Sequence, residues 1–273
     1  MVTALAPTLP RLQRASGEAR LEMASRDGRT VLRRLYQEGA AKIRLPQGAG
    51  RCEAVLINTS GGLTGGDRLA WTIDVAARGH LCVTTQAAEK LYRAPGLQHA
   101  RVDTTITLGA GARLDWLPQE TILFDGSALR RTITADLTGT ASLLMVEAMI
   151  FGRTAMGETV RDALFFDRWR IRREGKLIHA EDLRFEGDMA ALLGRTAIAG
   201  GACALATVAF FSPDAEALID PFRRWHPHVA ASAFNGKFLA RFATVDGYSL
   251  RKSLVPVLEF LSAGRALPKL WAI

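Results

Sequence analysis

The segment RVDTTITLGAGARLDWL, residues 101–117, joins a run of alternating residues to a second short run through a glycine-rich turn. Apolar or β-branched side chains occupy every second position from Val102 to Leu108, which places them on one face of an extended chain. Gly109-Ala110-Gly111 then supplies turn residues. The pattern predicts strands with one buried and one solvated face. The same alternation recurs in residues 69–76, 131–137 and 168–174.

Glycine turns recur along the middle of the chain. Gly79, Gly111 and Gly139 each precede a strand-like run and stand about thirty residues apart. A period of this size is typical of stacked β-layers, although a plain β-sandwich also suits short strands with regular turns. We therefore predict a mainly β fold with stacked or helical layers of sheet, built as a single domain over residues 1–273.

Helical signals are few and lie mostly in the C-terminal third. Ser212, followed by Pro213, is a plausible N-cap for a helix. A second apolar stripe at helical spacing covers residues 250–264 and stops at Gly264, with Pro256 expected to begin or kink that helix.

Composition limits the classes of function. The net charge is +8 with a pI near 9.9, which favours acidic partners. The first residues lack the pattern of a secretion signal, and no apolar run approaches the ~20 residues of a membrane helix. Three widely separated cysteines do not suggest a disulfide framework, so we expect a cytoplasmic protein.

The segment NTSGGLTGGD, residues 58–67, superficially resembles a phosphate-binding loop. Its glycines are Gly61, Gly62, Gly65 and Gly66. A P-loop continues with Lys and then Ser or Thr, whereas this chain has Asp67 and Arg68, and no dinucleotide-binding order of glycines is present. Nucleotide binding is therefore not expected here. Asp67 could attract a divalent cation or could cap a turn by bonding to nearby N–H groups, and both roles can coexist.

Other reactive groups give no catalytic signature. His80 with Cys82, and His226 with His228, lack the spacing of a tight metal site, and Ser60 is not part of a nucleophile elbow. Glu147 is more informative, because an ionisable group in the apolar run LLMVEAMIF must be paired, protonated or facing water. It could be a general acid, half of an ion pair, or the wall of a polar channel. The absence of a recognisable catalytic centre favours a binding or scaffolding role.

Several blocks together resemble one family, the UreD (UreH) urease accessory proteins. The resemblance extends from Leu35 to Trp271 and is carried by LYQEGAAKIRLP (35–46), INTSGGLTGGDRL (57–69), TTQAAEKLYRA (84–94), WLPQETILFDGS (116–127), FGRTAMGE (151–158), FLARF (238–242) and LPKLW (267–271).

The resemblance implies a β-rich, helix-poor fold and a nickel-insertion chaperone rather than an enzyme. Implied partners are the urease apoprotein, a UreF-type accessory protein and, through it, a UreG-type GTPase. The resemblance implies that nickel is in transit, by way of an internal water-filled channel proposed for members of the family, so neither a tightly bound cofactor nor a stable metal site is expected. By motif position, the nominated channel-lining or supporting residues are Asp67, Thr84, Gln86, Glu120, Glu147, Glu181 and Arg184, the last two by a local E-x-x-R spacing only.

An alternative reading is a basic β-rich module that binds an acidic polymer or nucleic acid. Arg168, Arg170 and Arg172 on one strand face motivate it. The resemblance, in contrast, implies neither a nucleic-acid nor a membrane partner. Among the tryptophans, Trp71, Trp116 and Trp169 are predicted to be core residues, and Trp225 and Trp271 lie in segments predicted to be more exposed. Aromatic residues are enriched at interfaces, but core or edge packing is the default expectation for both.

Overall fold

A computed structural model describes residues 13–46, 51–94, 96, 98–153 and 156–272. The prediction that the N-terminus carries no secretion signal concerns a segment that lies largely outside the described residues. The described part of the chain forms two sheets, which we call sheet I and sheet II. Sheet I holds, in spatial order, β14 (Lys176–Gly187), β13 (Ala163–Arg173), β11 (Ser127–Leu137), β8 (Ala100–Leu108), β5 (Arg68–Val75), β1 (Ser16–Arg26) and β2 (Arg29–Gly39).

Sheet II is the wider of the two. It holds, in spatial order, β16 (Ala230–Phe234), β17 (Lys237–Thr244), β15 (Ala204–Phe211), β12 (Ser142–Phe151), β9 (Arg113–Leu117), β6 (His80–Thr85), β4 (Cys52–Asn58) and β3 (Ala41–Arg44). Two short strands extend it sideways: β10 (Thr121–Leu123) pairs with β12, and β7 (Glu89–Leu91) pairs with β10.

The chain coils between the sheets from β4 to β13. Successive long strands alternate between sheet II and sheet I, and neighbours within each sheet are parallel, as in β5–β8–β11 and β6–β9–β12. The turns stack as well: the Arg78 N–H donates to the Ala110 carbonyl at 3.0 Å, and the Thr138 N–H to the Leu108 carbonyl at 2.9 Å. This solenoid-like stacking confirms the predicted mainly β, layered fold.

Two apolar cores follow from the alternation of side chains. One lies between the sheets and includes Ile106, Trp116 and Trp169. The other lies on the far face of sheet II, where α3 (Gly247–Leu261) covers it with Leu250, Leu254 and three further buried residues. Burial of apolar area on this scale is the main source of stability for the fold.

The tryptophan predictions are correct except at Trp271. Trp71, Trp116 and Trp169 are buried, and Trp225 is 76% exposed. Trp271, however, is only 1% exposed, because its ring enters the core under α3 and its indole N–H donates to the Leu117 carbonyl at 2.9 Å.

The helices begin and end differently from the prediction. After Ser212 the chain first makes a 3₁₀ turn (Ala215–Leu218), and only then α2 (Ile219–Trp225). Helix α3 starts before residue 250, because the Asp246 carboxylate caps it by accepting from the Ser249 N–H at 2.7 Å. It also ends earlier than Gly264, at Leu261, and carries Pro256 inside.

A short helix α1 (Met189–Gly194) and a C-terminal 3₁₀ turn (Lys269–Trp271) complete the elements of the described residues. None of the helices in the described residues is long and apolar enough to cross a membrane.

Candidate functional site

A cavity of about 350 Å³ lies between the sheets, where the sheet I strands begin and the sheet II strands end. Its walls are largely apolar and include Leu69, Trp71 and Trp116. Polar groups occur at two levels: a buried cluster around Glu147, and a mouth where exposed residues such as Gln86 meet the solvent. The cavity therefore connects the protein surface to buried charge.

The buried cluster consists of two carboxylates and one guanidinium. Arg131 Nη1 lies 2.5 Å from Glu147 Oε2, while its Nε and Nη2 donate to the two Asp167 oxygens at 3.0 and 2.7 Å. Indole N–H groups complete the set: Trp116 donates to Glu147 at 2.9 Å and Trp169 to Asp167 at 3.1 Å. Strands β11, β12 and β13 supply the three charged residues, so the stacking of the solenoid brings them together.

The cluster has one negative charge more than positive charge when all its members are ionised. Burial raises the pKa of Glu147; the Asp167 carboxylate also raises it, while Arg131 and the Trp116 hydrogen bond oppose the rise. Burial by itself would lower the pKa of Arg131, but the two carboxylates outweigh it and raise that pKa. Glu147 is thus both half of an ion pair and part of the cavity wall, two of the roles that the sequence left open.

The mouth holds a second carboxylate, Glu89 on β7. Its Oε1 accepts from Asn58 Nδ2 at 3.0 Å, and the same amide group donates to the Gly62 carbonyl at 3.2 Å. Burial raises the pKa of Glu89 to about 7; negative charge on Asp67 adds to the rise, and hydrogen bonds from the Asn58 side chain and the Lys90 backbone N–H oppose it. No sequence pattern had singled out Glu89, since its strand has three residues and is too short to show a period.

The glycine loop forms one edge of this mouth. Gly61 and Gly62 line the cavity. At Gly62, with φ of +146°, an added Cβ would lie 2.7 Å from the Lys90 carbonyl oxygen, so the loop passes close to β7. At Gly65 an added Cβ would lie 2.3 Å from the Gln98 carbonyl oxygen. The glycines therefore allow two close backbone approaches that any side chain would block.

Asp67 caps this loop. One carboxylate oxygen accepts from the Ala15 N–H and the other from the Thr64 N–H, both at 2.8 Å. The side chain is buried and is absent from the cavity lining among the described residues. The geometry is that of the turn cap, and the negative charge of the carboxylate also helps to raise the pKa of Glu89.

The remaining nominated residues divide between the cavity and other places. Gln86 lines the mouth. Thr84 is buried on β6, and its hydroxyl has no hydrogen-bond partner among the described residues. Glu120 lies behind the cavity wall, where Arg251 of α3 binds both of its oxygens at 3.0 and 3.1 Å.

The E-x-x-R spacing does not form a pair. Glu181 binds Arg241, with Nη2 to Oε2 at 2.9 Å, and Arg184 is exposed beside Glu186. Residues three apart on a strand point to opposite faces, which explains the separation. Burial alone would raise the pKa of Glu181, but contacts with His179 and Arg241 outweigh it and lower that pKa. Of the seven nominated residues, Gln86 and Glu147 line the cavity.

A family comparison agrees with this architecture over nearly the whole chain. A sequence model described as "UreD urease accessory protein" matches residues 15–272. This chain belongs to the UreD family. "Urease accessory protein UreD" of Mesorhizobium japonicum is 51% identical over 270 residues, covering 97% of this chain and 96% of that protein. The protein of the same name from Rhizobium leguminosarum bv. viciae is 52% identical over 277 residues, covering 99% of each.

Two other features of this UreD-family chain bear on the earlier hypotheses. Among the described residues, no three His, Cys, Asp or Glu side chains are grouped so that they could hold a metal ion. Cys82 is buried in the apolar core, which raises the pKa of its thiol, and His80 is exposed. On the arginine face, Arg168 and Arg170 both bind Asp182, at 2.8 and 2.6 Å, so part of its positive charge is already neutralised.

Part of the buried cluster was open to prediction. Arg131 has the same alternation phase as Ile133, Ala135 and Leu137, so the pattern of β11 already places a guanidinium on a buried face. Asp167 likewise shares the buried phase of β13 with Trp169. A charged residue in the apolar phase of a strand is the sequence signal for such a cluster.

Proposed function

We propose that this chain is a urease-maturation scaffold that helps to insert nickel into urease. In this role it bridges the urease apoprotein to a UreF-type accessory protein and, through it, to a UreG-type GTPase, and nickel moves through the cavity between the sheets. The role is non-catalytic and is exercised in the cytoplasm. Membership in the UreD family supports the link to urease, and the acid-bearing cavity is the observation that carries the link to nickel.

The chemistry of the cavity suits a cation in transit. Nickel is held firmly by thiolates and imidazoles and more weakly by carboxylate oxygens and water. The charged residues of the cavity lining in the described part of the chain are two carboxylates, Glu89 and Glu147, and two cations, Lys90 and Arg131; amides also line it, but neither cysteine nor histidine does. A cation that enters would meet oxygen ligands that release it readily, which is what a transfer route needs.

The surface suits a protein that binds partners. Trp225, Val245 and Tyr248 are each more than 60% exposed, which is unusual for large apolar side chains. The net charge of +8 favours partners with acidic surfaces. Tryptophan and tyrosine are typical anchors of protein interfaces.

Co-expression tests the proposal. A urease gene set is expressed at limiting nickel with and without this chain, and urease activity and bound nickel are measured. We expect both to collapse without the chain; if both survive, the proposed function is wrong.

The variant Glu147→Gln tests whether nickel passes Glu147 on its way through the cavity. It keeps the shape of the side chain and removes the surplus negative charge of the cluster, so we expect the chain to fold and still co-purify with urease while activation falls. Glu259→Gln on the exposed face of α3 is the matched control. Activation by the Glu147 variant equal to that of the control would contradict a route past Glu147.

A further inference from the structure

Four arginines follow one line across the outer face of sheet I. Strand pairing places Arg68 of β5 opposite Arg101 of β8, and Arg101 opposite Arg130 of β11. Phe166 of β13 comes next in the line, followed by Arg184 of β14. All four arginines are exposed. Because neighbouring strands lie about 4.8 Å apart, their side chains rise side by side from the sheet. We call Arg68, Arg101, Arg130 and Arg184 the arginine row.

The arginine row carries charge that the fold does not neutralise. Like charges directly opposite each other on neighbouring strands are destabilising. Arg101 is compensated by Asp103 at 2.6 Å, and Arg184 by Glu186. In contrast, Arg68 and Arg130 have no carboxylate oxygen within 4 Å among the described residues. The isolated chain therefore bears a repulsion here that an acidic partner would relieve.

The surroundings of Arg130 are positive as well. Burial lowers the pKa of nearby His99, and the positive charges of Arg130 and Arg101 lower it further. The Arg130 guanidinium lies over the Phe166 ring, 5.0 Å from its centroid, and the Arg168 guanidinium lies 5.2 Å from the same centroid. The ring thus helps to hold the Arg130 side chain without occupying its N–H groups with a carboxylate.

The other end of the same face has a different charge. Six positions further along the strands, the corresponding line consists of Asp74, Thr107, Asp136 and Arg172. Two carboxylates and one guanidinium replace the four arginines of the row. The unneutralised positive charge is therefore concentrated at the end where the strands of sheet I begin.

The arginine row also lies on the outside of the cavity wall. Leu69, Val102 and Leu129 line the cavity, and each is next in the chain to an arginine of the row. Successive side chains of a strand point to opposite faces, so the apolar residue faces the cavity and the arginine faces the solvent. A partner bound to the row would lie against this wall from outside.

We propose that the arginine row is a docking surface for an acidic surface of a partner protein, whose Asp and Glu carboxylates pair with Arg68 and Arg130. A guanidinium binds a carboxylate through two parallel hydrogen bonds, which gives orientation as well as attraction. The inference deepens the proposed function and rests on it for the identity of the partner, as the urease apoprotein or the UreF-type protein.

The local carboxylates favour a protein over a nucleic acid. Asp103, Asp182 and Glu186 lie on the same face as the row and would repel a continuous line of phosphates. A protein surface can instead place single carboxylates at the unpaired arginines and basic or neutral groups at these acids.

Fluorescence anisotropy with a labelled oligoglutamate peptide tests the row on the full-length chain. The double variant Arg68→Gln/Arg130→Gln should weaken binding about tenfold at low salt, the loss expected from two exposed ion pairs. The control Arg26→Gln/Arg29→Gln removes the same charge from two exposed arginines at the opposite end of sheet I, and it should bind like the wild type. Arg68→Lys/Arg130→Lys keeps the charge and should keep most of the binding.

Urea unfolding separates docking from a structural role. Because Arg68 and Arg130 make no ion pair within the described residues, the Gln double variant should unfold at the same or a higher urea concentration than the wild type at low salt. Peptide binding by this variant equal to that of the control, or a parallel loss of binding and stability, would overturn the inference. Tighter row-dependent binding of a labelled single-stranded oligonucleotide than of oligoglutamate would identify a nucleic-acid site and also overturn it.

Co-purification separates this inference from the proposed function. The urease apoprotein and a UreF-type protein are each co-expressed with the tagged chain, and we expect the Gln double variant to retain less of one of them than the control does. If omission of the chain abolishes urease activation but this variant retains both partners, the scaffold role stands and the docking surface is wrong. If oligoglutamate binding depends on the row but omission of the chain leaves activation unchanged, the docking surface stands and the role in urease maturation is wrong.

Discussion

The burial of Trp271 gives the sharpest test of the C-terminal packing. Trp271→Ala removes a ring that is 1% exposed, a 2.9 Å hydrogen bond to the Leu117 carbonyl, and a cation–π contact in which the Arg251 guanidinium lies 5.0 Å from the ring centroid. Large-to-small changes at such sites cost about 3–5 kcal/mol. For a chain of this size we expect the midpoint of thermal unfolding to fall by roughly 10 °C, measured by circular dichroism.

Two further tryptophan variants isolate the causes. Trp271→Phe keeps most of the apolar area but leaves the buried Leu117 carbonyl unpaired, so we expect a smaller loss of about 1–3 kcal/mol. Trp225→Ala, at a site that is 76% exposed, should change stability by less than about 0.5 kcal/mol. If Trp271→Ala unfolds at the same temperature as Trp225→Ala, Trp271 does not pack as described and the reasoning is wrong.

Three other changes have defined outcomes in urea unfolding. Arg131→Met leaves two buried carboxylates without their counter-charge and should cost about 3–5 kcal/mol at pH 8; an unchanged midpoint would argue against the cluster. Gly65→Ala must displace the Gln98 carbonyl and should cost more than Gly61→Ala, which meets open space and bears about 1–2 kcal/mol for its positive φ; equal losses would contradict the close approach. Because burial raises the pKa of Glu89 from 4.5 to about 7, the folded chain keeps this proton to higher pH than the unfolded chain, so wild-type stability falls as pH rises through this window. Glu89→Gln should therefore stabilise the chain by up to about 3 kcal/mol above pH 7, and this gain should disappear below about pH 4, under the unfolded pKa; a gain of equal size at both pH values would refute this origin.

The fold was largely predictable because its determinants are local. Alternation along β5, β8 and β11 assigns each side chain to a face, and the turns at Gly111 and Gly139 require positive φ, which glycine adopts readily. Stacking these units then follows from the need to cover each buried face. The start of α3 was missed for an equally local reason, since the Asp246 cap lies four residues before the apolar stripe begins.

The cavity was less predictable because it depends on contacts between distant segments. Glu89 belongs to a three-residue strand that is held by other segments, β10 on one side and Leu63 of the glycine loop, and its partner Asn58 is 31 residues away. Glu120 looked like a candidate for the cavity, but a residue from the C-terminal helix, Arg251, binds it on the other side of the wall. The burial of Trp271 was also unpredictable from the sequence, because its segment is too short to show a periodicity that would indicate which side chains are buried.

A chain of contacts links the C-terminal segment to Glu89 at the mouth of the cavity. Arg251 lies over the Trp271 ring and binds Glu120, and the Glu120 backbone carbonyl accepts from the Glu89 N–H. Gln119, whose side-chain oxygen also accepts from Arg251, lines the cavity directly. The cavity wall is therefore held from outside by α3 and the last residues of the chain. A truncation before Trp271 should therefore loosen this wall as well as the core beneath α3.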